Sequence, residues 1–145
     1  WFALLWILIG FSEVLIFRGV VHDFCKRKLK TKKNGYILSV LVSSAVFGLW
    51  HLVNLLYGAS FGAAMLQVGY SFLIGAMLAV TFDRTKNLWL CAFIHALFDF
   101  GGLLVDYLGK GNVHDTTFWI VTAILGVLCA AYILWNALKL NKKQP

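Results

Sequence analysis

The sequence predicts an all-α protein, a polytopic transmembrane helix bundle of about five spans, and three observations carry that expectation. Of the 145 residues, 61% are hydrophobic and only 13% charged, where a soluble domain carries about 25% charged residues. The apolar residues fall in long runs, and a helix crossing a bilayer needs about 20 such residues in succession. Proline is absent before Pro145, so nothing within the runs removes a backbone donor from a helix. A soluble fold of this size would leave too much surface in water to hide this composition.

The expected spans are, in order, residues 1–25, 36–57, 62–82, 88–105 and 117–138. The first is not a secretory signal, because no basic stretch precedes it and it contains Glu13 and Arg18. There is no internal repeat and no low-complexity linker, so residues 1–145 are expected to form one domain. The chain opens at Trp1, inside an apolar run, which suggests a segment trimmed from a longer protein with helices upstream.

The connecting loops differ in charge. The first holds Lys26, Arg27, Lys28, Lys30, Lys32 and Lys33, the second has none, the third holds Arg84 and Lys86, the fourth Lys110 alone, and the tail Lys139, Lys142 and Lys143. Rich and poor loops alternate as the positive-inside rule demands. The basic loops and the C-terminus are therefore expected in the cytosol. The net charge of +7 is read as flanking charge facing anionic lipid. Nucleic acid is not an expected partner, because the basic residues are not interleaved with aromatics. Cys25, Cys91 and Cys129 lack CxxC spacing and read as packing residues.

Small residues mark places where helices can approach closely: Ser44 with Gly48 and Gly75 with Ala79, each pair four apart. Asp115 and Thr116 are expected to cap the last helix, with His114 an ordinary loop residue. His22 and Asp23 lie near the end of the first span and are expected to snorkel to the interface.

Against this background, the ionisable residues inside the spans stand out: Glu13, Arg18, His51, His95 and Asp99, joined by the polar Asn54 and Gln67. Each charge at the centre of a membrane helix costs about 2.5–3.5 kcal/mol on insertion scales. Glu13 is the only glutamate in the chain. His95 and Asp99 are four apart and share a helix face, as do Phe47 and His51, with Asn54 three beyond. Glu13 and Arg18 are five apart, about 140° around an α-helix, and need not touch. At 1.5 Å rise per residue, Glu13 lies roughly 18 Å, His51 roughly 22 Å, His95 roughly 10 Å and Asp99 roughly 16 Å from the cytosolic helix ends. With tilt, three helices can bring these groups to one cavity near mid-membrane.

Such a cavity has several chemistries open to it. A glutamate in a low-dielectric site can act as a general base on water, two histidines can donate to a developing oxyanion, and Asp99 can orient His95 or hold the water. That set hydrolyses peptides without a metal or other cofactor. Two histidines with one or two carboxylates also suit zinc or iron, although no HExxH is present. A proton relay in a transporter, or polar pairing that only glues the bundle, uses the same residue types.

Three motifs narrow the choice. Glu13 to Gly19 reads EVLIFRG, Phe47 to His51 reads FGLWH, and His95 to Asp99 reads HALFD. In this order, each in its own span, they resemble the EExxxR, FxxxH and HxxxN/D motifs of the CAAX protease and bacteriocin-processing (CPBP) family of intramembrane glutamic peptidases. Gln67, Phe72 and Gly75, and the stretch RTKNLW from Arg84 to Trp89, add to the likeness. The resemblance implies Glu13 as the water activator, His51 and His95 as oxyanion stabilisers, and Asp99 in support. Arg18 would brace the site, with Phe47 and Asn54 as further supporting residues. The composition implies an integral, multi-pass protein, and the compact loops suggest a prokaryotic cell membrane. Its substrate would be a hydrophobic or membrane-anchored peptide: a prenylated C-terminal tail, or a pheromone or bacteriocin precursor. The family's larger helix count agrees with an upstream segment. One departure is Val14, where the family has its second glutamate, and it keeps open an alternative: a non-catalytic scaffold, immunity or regulatory protein.

Overall fold

The structure, a computed structural model, describes residues 2–108 and 116–142. These form five helical rods, two of them irregular. The first rod starts as α1 (Phe2–Val14), continues as a π-helical segment (Leu15–His22) and ends as α2 (Asp23–Leu29). The second is α3 (Gly35–Trp50) followed by a 3₁₀ segment (His51–Tyr57). Then come α4 (Phe61–Thr85), α5 (Leu88–Leu108) and α6 (Thr116–Asn141).

Local chemistry explains the ends. Asn34 takes up a left-handed conformation (φ 57°) before α3, and Gly58 does so (φ 89°) where the 3₁₀ segment stops. Ser60 Oγ accepts from Ala63 N at 3.2 Å and caps α4. Asn87 Oδ1 accepts from Leu90 N at 3.0 Å and caps α5. The expected cap at Asp115, and His114 and Lys110, lie outside the described residues.

Among the described residues, three helices, Gly35–Tyr57, Phe61–Thr85 and Trp119–Asn141, are long and apolar enough to cross a membrane. The chain is an integral, multi-pass membrane protein. The fourth expected span lies within α5, which includes the apolar stretch Leu88–Gly102, and the first combines its polar residues with a change of helix type. Much of α6 is exposed apolar surface, including Ile124, Leu125, Val127 and Leu128, which lipid covers without cost.

The closest packing is between α3 and α4. A Cβ on Gly48 would come within 2.9 Å of the Val68 carbonyl oxygen, and one on Gly75 within 3.1 Å of Phe47 and 3.4 Å of Ser44 Cβ. The small residues therefore lie where two backbones meet. A first apolar cluster joins Tyr36, Val40, Ala76, Ala79, Val80 and Ala137, tying α6 onto this pair. Thr81 Oγ1 and Tyr132 Oη, 3.1 Å apart, reinforce it. A second cluster, of Val14, Leu78, Cys91 and Ala92, joins α1, α4 and α5.

One end of the bundle gathers the basic loops. Asn141 Nδ2 donates to Asn34 Oδ1 at 3.1 Å, placing the end of α6 beside the first loop. At the same end, His22 is fully buried, so it does not snorkel as expected. Its Nε2 lies 2.7 Å from Asp83 Oδ2 and its Nδ1 3.0 Å from Ser43 Oγ. Lys26 and Lys86 both reach Asp83 Oδ1, the latter at 3.3 Å. Asp83 thus ties the first rod to α4, while Asp23 makes only an exposed pair with Arg27 at 3.1 Å. Removing one partner of a buried ionic network leaves the rest uncompensated. Asp83→Ala is expected to cost about 3 kcal/mol, read as a lower unfolding midpoint in detergent. Combining it with His22→Ala is expected to cost less than the sum of the two single changes, because both act on one network.

Candidate active site

The irregular helix segments set where the polar residues meet. In the π-helical segment the backbone bonds run i→i+5, a geometry found mostly as short insertions in α-helices. It begins just after Glu13 and carries Arg18. The 3₁₀ segment begins at His51, and because side chains three apart eclipse in that geometry, His51 and Asn54 fall on one side.

Glu13, His51, Asn54, Gln67 and Asp99 line one cavity of about 310 Å³, together with Ile9, Trp50 and Val53. His95 Nε2 lies 2.8 Å from Glu13 Oε2 and 3.6 Å from Asp99 Oδ2. A ring N–H donating to a carboxylate makes the first contact a charge-assisted hydrogen bond. The two helices can come this close because Gly10 faces α5: a Cβ there would meet His95 Cδ2 at 3.3 Å and Asp99 Oδ2 at 3.4 Å. Phe11 stacks on Trp89 with ring centroids 4.7 Å apart. The RTKNLW stretch thus clamps the start of α5 to α1, one turn and more before His95.

His95 is buried and is not among the residues lining the cavity. Its Nε2 is turned to the carboxylates, and its Nδ1 is buried with no hydrogen-bond partner among the described residues. His51 is arranged differently. Its Nδ1 donates to the Phe47 carbonyl at 3.0 Å, which leaves Nε2 as the ring nitrogen available to the cavity.

Phe47 is the hub between these groups and is 1% exposed. Its ring packs edge-on against His51 (centroids 5.0 Å) and His95 (5.6 Å). The Arg18 guanidinium carbon lies 4.9 Å from the Phe47 ring centroid, a cation–π contact. Arg18 is itself buried, and its Nε and Nη1 have no hydrogen-bond partner among the described residues. Glu13 and Arg18 form no ion pair, as their spacing suggested.

All the sequence-based candidates are placed in or against this one region. Glu13, His51, Asn54 and Asp99 form its wall, with His95, Phe47 and Arg18 behind it. Gln67 proves to be part of the wall, as the direct partner of Asn54 at 2.7 Å. Gly10 was not singled out; its signal was a glycine one turn before the only glutamate. Among the described residues no three His, Cys, Asp or Glu side chains are disposed to hold a metal ion.

Comparison with known proteins adds a second line of support. Residues 1–101 match the family model for Rce1-like type II CAAX prenyl endopeptidases. The chain belongs to this family. The matched region contains every residue from Glu13 to Asp99 named above, and membership in the CAAX endopeptidase family implies an intramembrane protease. No curated protein and no solved structure shows a significant match to the chain.

Val14, where the motif of the CAAX endopeptidase family has its second glutamate, is buried against Leu78, Cys91 and Ala92 and does not line the cavity. It lies four residues before Arg18, whose Nε and Nη1 have no hydrogen-bond partner among the described residues. A carboxylate placed there would reach the Arg18 side of the helix. Val14→Glu is therefore expected to fold with a near-unchanged melting midpoint. Arg18→Met is expected to be tolerated as well, since it removes a buried cation whose Nε and Nη1 have no hydrogen-bond partner among the described residues. Val14→Glu made in the Arg18→Met protein is expected to lose about 3 kcal/mol or more, because its carboxylate is then buried alone.

Proposed function

We propose that this protein is an intramembrane endopeptidase that cuts membrane-associated or hydrophobic peptides with a water activated by Glu13. The observation that carries this reading is the 2.8 Å contact between Glu13 and His95 at the wall of a cavity shared with His51 and Asp99. Glu13 takes a proton from a water in the cavity as the water oxygen attacks the scissile carbonyl carbon. The resulting tetrahedral oxyanion accepts a hydrogen bond from His51 Nε2 in its protonated form. Glu13 then returns the proton to the leaving nitrogen as the C–N bond breaks, giving a carboxylic acid and an amine. His95 acts as a positioning residue that aims the Glu13 carboxylate. Asp99, on the same face as His95, orients that ring and helps hold the water.

The family description points to prenylated C-terminal tails as the substrate class, with pheromone or bacteriocin precursors as the bacterial counterparts. The clustering of Lys26, Lys86 and the end of α6 at one end of the bundle supports a cytosolic location for that end. The alternative of a non-catalytic scaffold was motivated by Val14. Because Val14 sits in the apolar core, the change leaves both cavity carboxylates in place, and this favours the catalytic reading.

The test compares peptides released by cells making the parent protein with those from cells making Glu13→Gln at equal level. Peptides that depend on Glu13 are expected. Identical profiles, with both proteins folded and in the membrane, would move the reading to the scaffold. With a substrate in hand, Glu13→Gln and His51→Ala are each expected to lower kcat by about 100-fold or more. Activity is expected to survive prolonged exposure to a strong chelator. Loss of activity that zinc or iron restores would transfer the water from Glu13 to a metal.

A further inference from the structure

The mechanism above leaves two cavity residues unused, the primary amides of Asn54 and Gln67. Asn54 stands on the 3₁₀ segment and Gln67 on α4, and Asn54 Nδ2 donates to Gln67 Oε1 at 2.7 Å. A primary amide has two N–H donors and a carbonyl oxygen with two lone pairs. The bond between the two side chains occupies one donor and one lone pair. Asn54 Oδ1 and the Gln67 amino group remain, and both residues line the cavity alongside Glu13, His51 and Asp99. Exchanging oxygen and nitrogen in both amides leaves the same inventory, so the argument does not depend on how they are turned.

One acceptor and one donor side by side are the complement of a peptide group. A peptide cut within a membrane has special need of such a partner. A segment held with one peptide bond open to the attacking water presents main-chain N–H and C=O groups that have no internal partners. In hydrocarbon nothing replaces them, so the protein has to. The rest of the wall fits a division of labour: Glu13, His51 and Asp99 carry charge or protons, and Ile9, Trp50 and Val53 are apolar surfaces for side chains.

We propose that the Asn54–Gln67 pair binds the main chain of the substrate in extended form next to the scissile bond. The pair would select for an unwound backbone with little regard to side-chain identity. This rests on the peptidase reading, and the experiment separates the two. Glu13→Gln protein, which is not expected to turn over substrate, is titrated with two fluorescent probes. One is an S-farnesylated peptide ending in Cys-Val-Ile-Met, the other the same peptide without the prenyl group. Asn54→Ala and Gln67→Ala, each added to Glu13→Gln, are expected to weaken binding about 5-fold, and the two together about 10- to 30-fold. In the active protein the same changes are expected to raise KM by similar factors, with kcat within about twofold. Replacing backbone amides of the probe one at a time by esters should reveal a position whose loss weakens binding in Glu13→Gln but not after Asn54→Ala is added.

Unchanged binding in the variants would overturn the proposal. So would a fall in kcat at constant KM, ester effects independent of Asn54, or failure of folded Glu13→Gln protein to bind either probe. A lower melting midpoint without any change in binding would make the pair a structural link between helices. Coupled binding in a protein that hydrolyses nothing would keep the amide site and reject the peptidase. Hydrolysis without coupling would do the reverse.

Discussion

The contact between Glu13 and His95 is the constraint around which the structure is arranged. It joins α1 to α5 across 82 residues of sequence, with His95 buried and Glu13 open only toward the cavity. A carboxylate and an imidazole in that setting need each other, since an unpaired charge there is worth several kcal/mol of destabilisation. Other features serve this contact. Gly10 removes the side chain that would hold α5 away. The stacking of Phe11 on Trp89 fixes the approach, and the Val14 cluster fills the space behind. The apolar packing of α1 on α5 is thus the scaffold for one polar bond.

Two departures from α-helical geometry flank the cavity, and each has a local function. The π-helical turn after Glu13 lets one rod send Glu13 toward the cavity and Arg18 toward the Phe47 ring. The 3₁₀ segment after Trp50 places His51 and Asn54 on one side without a full α-helical turn between them. Irregular backbone at membrane depth is tolerated where protein or a cavity adjoins it. Both segments meet that condition.

Much of this was legible from composition and spacing. The last four expected spans begin within about two residues of the observed helices, because long apolar runs without proline admit few other readings. The site candidates came from a rule of cost: ionisable residues in lipid need a partner or a task. The same rule could have found Asp83, but Asp83 lies near a helix end among basic residues and reads as an interface charge. His22 was misplaced for the same reason, since only the fold shows that Ser43 and Asp83 enclose it. The π-helical turn has no sequence signal of its own. The distinct stations of the two histidines were hidden too. Spacing puts both near the cavity but cannot say that His95 faces carboxylates while His51 donates to its own helix.

Arg18 shows how charge is balanced when the pairing is incomplete. Glu13 and Asp99 both face one nitrogen of His95, and two carboxylates sharing a site disfavour each other's charge. A buried guanidinium that interacts electrostatically with Glu13 offsets part of that repulsion without occupying the cavity. Its unbonded nitrogens are the cost of this placement, reduced by the Phe47 face beneath it. Arg18 makes no direct ion pair with Glu13, so the Glu13 carboxylate keeps its contact with His95 and its place on the cavity wall. Phe47 separates Arg18 from the imidazoles and touches all three groups. The motif that couples a phenylalanine to a histidine four residues later is therefore a statement about electrostatic spacing as much as about packing.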